Sequence, residues 1–408
     1  MEITSGGITA AKGFLAAYTC AGIKKENHPD MALVYSEKPC AAAGTFTLNK
    51  AFAAPVKWDK AIIAASPNAQ AIVINTGVAN ACTGDEGLEN CRTEAKAVAD
   101  GLGLKEKSVL VCSTGVIGAK LPMDKIVSGI EDLTADLRHT EEAGSAAAKA
   151  IMTTDTRPKE IAVKLVIDDS VVTIGGMCKG AGMIHPNMAT MLCFVTTDVL
   201  IKKDLLQAAF SEAVDDSFNM ISVDGDTSTN DTALVLANGL AENAIIDDVR
   251  DPNYAQFAEA LKFVVTELSK MIAGDGEGCT CLFEANVVNA GTKEDARILA
   301  KSIITSNLTK AAIFGHDANW GRILCAMGYS GAEFDPEATD IYFESEVGKI
   351  KIVENGKATD YSEEEATRIL SCNPVRAIAD VKYGRYDATA WGCDLTFDYI
   401  KINADYRS

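Results

Sequence analysis

A segment near the middle of the chain places a threonine where it could act as a nucleophile. The glycine- and proline-bearing stretch Lys179 to Leu192 leads into an apolar run, Met191 to Val195, that predicts a buried strand. Pro186 keeps the approach to that strand extended, because a residue before proline avoids the helical conformation. If the peptide bond between Ala189 and Thr190 is strained there, the Thr190 hydroxyl can attack the Ala189 carbonyl, and water can then cleave the ester.

Cleavage at this bond would make Thr190 the first residue of a new chain. An N-terminal threonine combines a nucleophilic hydroxyl with its own α-amino group as base. The reference pKa of an α-amine, about 7.7–8.0, suits a base near neutral pH. The simpler alternative is a tight turn between two core strands, with Thr190 an ordinary buried residue. The segment alone leaves both interpretations open.

The stretch Lys179 to Leu192, followed by Thr196-Thr197-Asp198, resembles a motif of one enzyme family. The family is the glutamate N-acetyltransferase / ornithine acetyltransferase family of arginine biosynthesis, whose precursors cut themselves before the threonine of Met-Ala-Thr-Met-Leu. The resemblance extends over essentially the whole chain. It implies cleavage between Ala189 and Thr190, with residues 1–189 as an α chain and residues 190–408 as a β chain.

The same resemblance implies an architecture. The expected fold is α/β, an αββα sandwich like that of N-terminal-nucleophile hydrolases, built from the two autoproteolytic fragments. Two copies of each fragment are expected to form a heterotetramer. From the residues themselves, only a mixture of helices and strands is predicted.

Two predicted strands end in polar residues that could serve the reaction. The buried-type strand Gln70 to Asn75 precedes a polar loop, in which the family usually has Asn where this chain has Val78. The strand Ser108 to Cys112 leads to Thr114 and Gly115. A hydroxyl beside a glycine can offer two donors to a developing oxyanion, although an ordinary strand-to-loop turn also explains the pattern. The resemblance implies that Thr114 and Gly115 form the oxyanion hole.

Further residues are predicted to bind substrate together with Thr190. Thr153 follows an Ala-rich helix predicted over 141–152 and is preferred to Thr154, although periodicity cannot separate the two. Lys179 follows the second strand of a predicted hairpin, where it could bind a substrate carboxylate or be a solvated loop lysine. The resemblance also implies substrate contacts from three residues nearer the carboxyl terminus, namely Glu277, Asn403 and Ser408.

Three other segments give structural predictions. Short strands are expected at 31–35 and 43–47, and the alternating tail 389–400 is expected to be a strand. The acidic run Ser222 to Asp231 looks like a calcium loop but lacks the Glu that should close one. It is therefore predicted to be a rigid polar loop near the site.

Composition narrows the class of partner. The formal net charge of −19 would repel a nucleic-acid backbone, and no run approaches the length of a membrane span. The amino-terminal residues show no secretory pattern, so a cytoplasmic protein is expected. The twelve cysteines and four histidines are scattered without zinc spacing, so no metal is expected.

The resemblance implies acetyl transfer from N2-acetyl-L-ornithine to L-glutamate through acetyl-Thr190, without metal or organic cofactor. Some members of the family also acetylate glutamate from acetyl-CoA, and the sequence leaves that second donor open. One alternative is a self-processing aminopeptidase or amidase that uses the same threonine and passes the acyl group to water. Another is a binding protein in which Thr190 is structural.

Overall fold

A computed structural model describes residues 1–24, 28–185 and 191–404. These residues form a mixed α/β structure, which confirms the predicted fold class. The strands, numbered in chain order, are β1 Glu2–Thr4, β2 Phe14–Thr19, β3 Met31–Phe46, β4 Ala69–Val78, β5 Val109–Val116, β6 Lys159–Ile167, β7 Ser170–Lys179, β8 Leu192–Thr197, β9 Ile221–Ser222, β10 Thr232–Ala237, β11 Leu282–Ala290, β12 Asp340–Ser345, β13 Gly348–Glu354, β14 Lys357–Ala358, β15 Val375–Asp380 and β16 Tyr386–Cys393. The helices are α1 Ala54–Ala65, α2 Gly84–Leu102, α3 Met123–Ala135, α4 Glu141–Ala150, α5 Lys203–Asp215, α6 Pro252–Ala273, α7 Lys293–Thr305, α8 Asn307–Phe314, α9 Trp320–Gly328, α10 Glu363–Leu370 and α11 Phe397–Ala404.

The chain divides into two compact units. The first unit contains residues 1–180, 187–218 and 226–268, and the second contains residues 181–186, 219–225 and 269–408. These boundaries differ from the predicted cleavage point, because residues on both sides of it belong to the first unit. The predicted fragments are therefore pieces of chain and do not correspond to the two compact units.

The first unit is built on a nine-stranded sheet of its described residues, ordered β1-β6-β7-β8-β10-β3-β4-β5, with β2 paired to β3. The predicted hairpin β6–β7 is confirmed, and β8 lies between β7 and β10. Two neighbouring strands from after residue 190, β8 and β10, thus lie between strands from before it in one sheet. Phe194 and Leu234 share a buried core cluster with Ile72 and Leu110 from the other end of the strand order.

The prediction of two short strands at 31–35 and 43–47 is wrong, because β3 is one long strand. Its first half pairs with β2 and β4, and its second half pairs with β10. The pairing with β4 is irregular between Tyr35 and Cys40, around Pro39, which cannot donate a ladder hydrogen bond. Because each half of β3 pairs with different strands, the strand stays extended between the two segments that were predicted as separate strands.

Helices α1, α2 and α3 pack against the end of this sheet that contains β5. One face of β4 and β5 packs on α2 and α3, with Val73, Val111, Val98 and Ile130 in the shared core. Helix α1 also supplies hydrogen bonds to β5, an end strand of the sheet order. The Trp58 indole donates to the Val109 carbonyl at 3.1 Å, and the Asp59 carboxylate accepts from the Val111 amide at 2.8 Å.

The second unit is built on a seven-stranded sheet of its described residues, ordered β14-β13-β12-β15-β11-β16-β9. The tail was predicted as a strand over 389–400, but the strand ends at Cys393 and α11 follows. Thr396 begins this helix, since its hydroxyl accepts from the Tyr399 amide at 3.2 Å. Phe397 and Ile400 lie on the helix with 72% and 62% of their surface exposed, so the apolar alternation did not report a buried strand face.

Candidate active site

Near the carboxyl end of β5 the pairing with β4 becomes irregular around Gly115, a position that requires glycine; this segment is called the Thr114–Gly115 turn below. Gly115 has a φ of +133°, and a Cβ there would lie 2.2 Å from the Gly77 carbonyl carbon and 2.6 Å from the Val78 nitrogen. The close approach follows from the parallel pairing of β4 with β5, which sets Gly77 opposite Gly115. Without a side chain, Gly115 can take this conformation directly after Thr114, which carries the hydroxyl.

Lys179, the last residue of β7, lies against this turn. Its ammonium nitrogen is 3.4 Å from the Thr114 hydroxyl oxygen, and only 4% of the residue is exposed. Because a lysine ammonium has no acceptor, the Thr114 oxygen accepts this bond and keeps its own hydrogen for another partner. The structure therefore brings two of the predicted residues together, and it does not place Lys179 in a solvated loop.

Asp155, which is not among the predicted site residues, connects the segment that contains Thr153 with the segment that contains Lys179. One carboxylate oxygen accepts from the Lys159 ammonium at 2.6 Å and from the Gly180 amide at 2.7 Å. The other accepts from the Thr153 amide at 3.0 Å. Burial would raise the pKa of Asp155, but the Lys179 and Lys159 charges and these hydrogen bonds lower it to about 2. The carboxylate is thus charged at neutral pH.

A second lysine adds positive charge to the same unit. The Lys24 ammonium donates to the Met152 carbonyl at 2.5 Å, and its pKa falls to about 8, first through burial and then through repulsion by Lys179. No pattern in the sequence marks Lys24, because its importance depends on residues more than a hundred positions away. The two ammonium groups are therefore close enough to repel each other.

The acidic loop before β10 is also part of this region. Asn230 donates to the Ala79 carbonyl at 2.6 Å and to the Ser113 carbonyl at 2.8 Å, and Asp231 accepts from the Met191 amide at 2.9 Å. These buried hydrogen bonds hold the last two residues of the run, and the rigidity of the whole loop stays a prediction. Among the described residues, no group of three or more His, Cys, Asp or Glu could hold a metal ion.

The second unit contains a different pair of predicted residues. The Asn403 amide of α11 donates to the Glu277 carboxylate at 2.7 Å. Glu277 lies over Gly182, where a Cβ would stand 2.3 Å from the nearer carboxylate oxygen, and its amide donates to the Ala181 carbonyl at 2.8 Å. Glu277 is therefore well held, whereas Asn403 is exposed.

The predicted site residues thus fall into three sets. Thr114, Gly115, Thr153 and Lys179 are organised in the first unit, and Glu277 and Asn403 are joined in the second. The nucleophile and the cleavage bond, predicted at Ala189 and Thr190, lie outside the described residues, as does Ser408. The preference for Thr153 over Thr154 stays a prediction, since the bond from Asp155 reaches only the backbone of Thr153.

A glycine-dependent turn that presents a hydroxyl and an amide, with a buried ammonium beside it, is the kind of site found in acyl-transfer enzymes. Two curated relatives, both arginine biosynthesis bifunctional proteins ArgJ, are similar over nearly the whole chain. The relative from Caldanaerobacter subterraneus is 51% identical and covers 100% of both chains. The relative from Clostridium acetobutylicum is 52% identical and covers 98% of this chain and 97% of its own.

A family-level match agrees with these relatives. The ArgJ family matches residues 15–408, and the chain therefore belongs to the ArgJ family. It is an acyltransferase of arginine biosynthesis that acts on small molecules. The crystal structure of ArgJ from Bacillus halodurans is similar at 47% identity and a TM-score of 0.51, covering 53% of this chain and 100% of that one. No helix in the described part of the chain is long and apolar enough to cross a membrane.

Proposed function

We propose that this protein transfers the acetyl group of N2-acetyl-L-ornithine to L-glutamate by double displacement, with acetyl-Thr190 as the intermediate. The observation that carries the proposal is the contact between the Lys179 ammonium and the Thr114 hydroxyl at the turn where Gly115 is required. This contact places the Thr114 hydroxyl, a proposed oxyanion donor, beside a cation that can bind an α-carboxylate, and both residues are buried.

In the first half-reaction the Thr190 hydroxyl attacks the acetyl carbonyl, and the free α-amine of Thr190 takes the hydroxyl proton. The Thr114 hydroxyl and the Gly115 amide donate to the oxyanion of the tetrahedral intermediate. When the intermediate collapses, the C–N bond to ornithine breaks, the leaving amine receives the proton, and the acetyl group stays on the Thr190 oxygen.

In the second half-reaction the α-amine of glutamate attacks the acetyl-threonine ester and the C–O bond to Thr190 breaks. The proton lost by the glutamate amine passes through the α-amine of Thr190 to its hydroxyl oxygen. Both substrates carry an α-carboxylate, which Lys179 binds, and Thr153, whose backbone amide donates to Asp155, is another predicted substrate contact. Glu277, which accepts a hydrogen bond from Asn403, is a further predicted substrate contact, and its carboxylate suits an ammonium group such as that of ornithine. Ser408 completes the substrate contacts in this proposal. No metal or organic cofactor is required.

The proposal includes self-cleavage between Ala189 and Thr190, giving residues 1–189 and 190–408 and a heterotetramer of two copies of each. The similar crystal chain from Bacillus halodurans supports it, because that chain is matched completely while covering 53% of this one. The piece 190–408 is also slightly more than half of this sequence. Strand β8 pairs on both sides within one sheet, so the cut would leave the two pieces joined by sheet hydrogen bonds. A cytoplasmic location is part of the same proposal.

Product analysis tests the reaction. Purified protein is incubated with N2-acetyl-L-ornithine, with and without L-glutamate, and N-acetyl-L-glutamate and free acetate are measured. In the presence of glutamate we expect N-acetyl-L-glutamate and little acetate, because the bound amine has a high effective concentration and outcompetes water for the acetyl group. Rapid acetate release that is indifferent to glutamate would instead indicate an amidase or aminopeptidase.

The donor is tested separately. Acetyl-CoA replaces N2-acetyl-L-ornithine as the sole donor, and N-acetyl-L-glutamate is again measured. Product at a comparable rate would show that the enzyme uses both donors. Absence of product, with full activity from N2-acetyl-L-ornithine in the same preparation, would restrict it to acetyl recycling.

A further inference from the structure

We propose that Asn230 and Asp231 are positioning residues of the acyl transfer: Asn230 fixes the peptide that enters the Thr114–Gly115 turn, and Asp231 fixes the amide of Met191, which directly follows Thr190. The inference rests on the proposed function, and it adds two residues outside the predicted site. Neither is assigned a contact with substrate.

Asn230 joins the ends of two neighbouring strands with one amide group. Its two N–H bonds go to the Ala79 carbonyl, just after β4, and to the Ser113 carbonyl in β5. The Thr229 hydroxyl donates to the Asn230 side-chain oxygen at 2.6 Å, which fits an amide whose nitrogen faces the two carbonyls. Only 8% of Asn230 is exposed, so water offers little replacement for these bonds.

The bond to Ser113 acts directly on the proposed oxyanion hole. The Ser113 carbonyl and the Thr114 N–H belong to the same planar peptide, so holding one sets the direction of the other. That peptide also leads into Gly115, whose φ of +133° is open to glycine but not to residues with a side chain. Because oxyanion donors act only at the right distance and direction, a small rotation here would weaken transition-state stabilisation.

Asp231 holds Met191, the residue that follows the proposed nucleophile in the sequence. Its carboxylate accepts from the Met191 amide at 2.9 Å, and the next residue, Thr232, donates its amide to the Met191 carbonyl at 3.1 Å. Met191 is covalently next to Thr190 and is thus fixed on both its polar groups. Asp231 itself is fully buried.

The loop that carries both residues is anchored along its length. The Thr47 amide donates to the Asp231 carbonyl at 3.0 Å, and the Thr47 hydroxyl donates to the Ser228 carbonyl at 2.8 Å. The Ala53 amide donates to the Thr229 carbonyl at 2.8 Å. Asn230 and Asp231, two adjacent residues of this anchored loop, therefore contact β5 and Met191. Their positions on the loop set the spacing between those two segments.

Asn243 provides a matched control. It is also in the first unit, is 4% exposed, and donates its amide to two backbone carbonyls, those of Leu200 at 3.2 Å and Ala244 at 2.7 Å. The change Asn243→Asp removes the same donors from an equally buried place away from the turn. It reports the cost of losing such bonds without any effect on oxyanion geometry.

The test compares Asn230→Asp with Asn243→Asp in acetyl transfer, after both are shown to be folded by circular dichroism. We expect kcat to fall about 100-fold in Asn230→Asp, as for a misplacement of about 1 Å, with KM within a few fold of wild type, and kcat to be retained in Asn243→Asp. Equal losses in both variants, or an unchanged kcat in Asn230→Asp, would overturn the inference. If Asn230→Asp does not fold, Asn230→Ala is measured under the same criteria.

Asp231 is tested by a pair of its own variants. Asp231→Asn keeps an oxygen that can accept from the Met191 amide, whereas Asp231→Ala does not. We expect Asn to restore most of the kcat that Ala loses. If Asn is as inactive as Ala, the carboxyl group itself is needed and the positioning role is wrong.

A crystal structure of Asn230→Asp separates this inference from the proposed function. The expected result is a rotated Ser113–Thr114 peptide, while the same peptide is unchanged in Asn243→Asp. If wild type transfers no acetyl group, the proposed function fails, yet this structural result still decides whether Asn230 positions the turn. An unmoved peptide in Asn230→Asp would contradict the inference in either case.

Discussion

Strand β5 borders two polar regions that are built in different ways. At its carboxyl end, Ser113 and Thr114 accept bonds from Asn230 and Lys179. Farther back, the Val111 amide and the Cys112 thiol donate to Asp59, at 2.8 and 3.5 Å. Close to Asp59, Glu94 of α2 has two buried carboxylate oxygens, neither with a hydrogen-bond partner among the described residues.

The same contrast appears in the titration of two buried carboxyl groups of this unit. Asp155 is held by Lys159 and by backbone amides, and its pKa is about 2. Burial and the nearby Asp59 raise the pKa of Glu94 to about 8. The difference teaches that burial alone does not mark a reactive carboxyl group. At Asp155 the neighbouring cations and hydrogen bonds preserve the charge, whereas at Glu94 the lack of partners removes it.

The largest expected effect tests whether the reaction region depends on its ion pair. Lys159→Met would leave Asp155 charged and buried without its closest cation, and unfolding stability should fall by about 3–5 kcal/mol. Urea unfolding measures the change. The control is Lys96→Met, which removes an ion pair of the same four-residue spacing whose side chains are 62% and 68% exposed. An equally small loss in both variants would show that the buried pair contributes nothing special.

The next effect concerns the turn at the end of β5. Gly115→Ala introduces a Cβ within 2.2 Å of the Gly77 backbone, so the donors should be displaced and kcat should fall about 10²–10³-fold. The control Gly118→Ala also places alanine at a positive φ, +79°, but meets no atom within 4 Å. Steady-state kinetics on folded protein measure both. Comparable kcat values in the two variants would argue against an oxyanion hole at Gly115.

The third prediction uses the response to acid to distinguish Asp155 from Glu94. A folded pKa of about 2 lies below the ordinary aspartate value, so the contribution of Asp155 is present above about pH 4 and is lost as the pH falls towards 2. At pH 7 we expect the free energy of unfolding of wild type to exceed that of Asp155→Asn by about 2–3 kcal/mol, and we expect this difference to shrink below pH 4. Denaturant unfolding at both pH values measures it. A difference that stays constant with pH would contradict the account.

The smallest effect has the opposite sign. Since the folded pKa of Glu94 is raised, the folded state binds more protons than the unfolded state, and stability falls as the pH rises from about 4.5 to about 8. Glu94→Gln should flatten this dependence, with a relative gain of about 1–3 kcal/mol at pH 8. Glu89→Gln, an exposed position on the same helix, should leave the slope unchanged. A steep slope retained in Glu94→Gln would refute the assignment.

Local patterns predicted the elements that carry the site, and distant pairings explain what was missed. The β6–β7 hairpin and the Thr114–Gly115 turn follow from alternation and from a glycine after a polar strand end. Asp155 and Asn230 were not selected, because their roles depend on residues brought together by the fold. The strand predicted over 389–400 is wrong for residues 397–400, which belong to α11. Their apolar side chains are exposed on the helix, so the alternation in the sequence does not correspond to a buried strand face.

The central claim is that Thr190 becomes an amino terminus and carries the acetyl group. The direct measurement is the intact mass of denatured protein after incubation with N2-acetyl-L-ornithine alone. The account predicts two pieces, with one added acetyl group on the piece that begins at Thr190 and its disappearance when L-glutamate is supplied. A single uncut chain of 408 residues, or two pieces that never gain the acetyl mass, would contradict it.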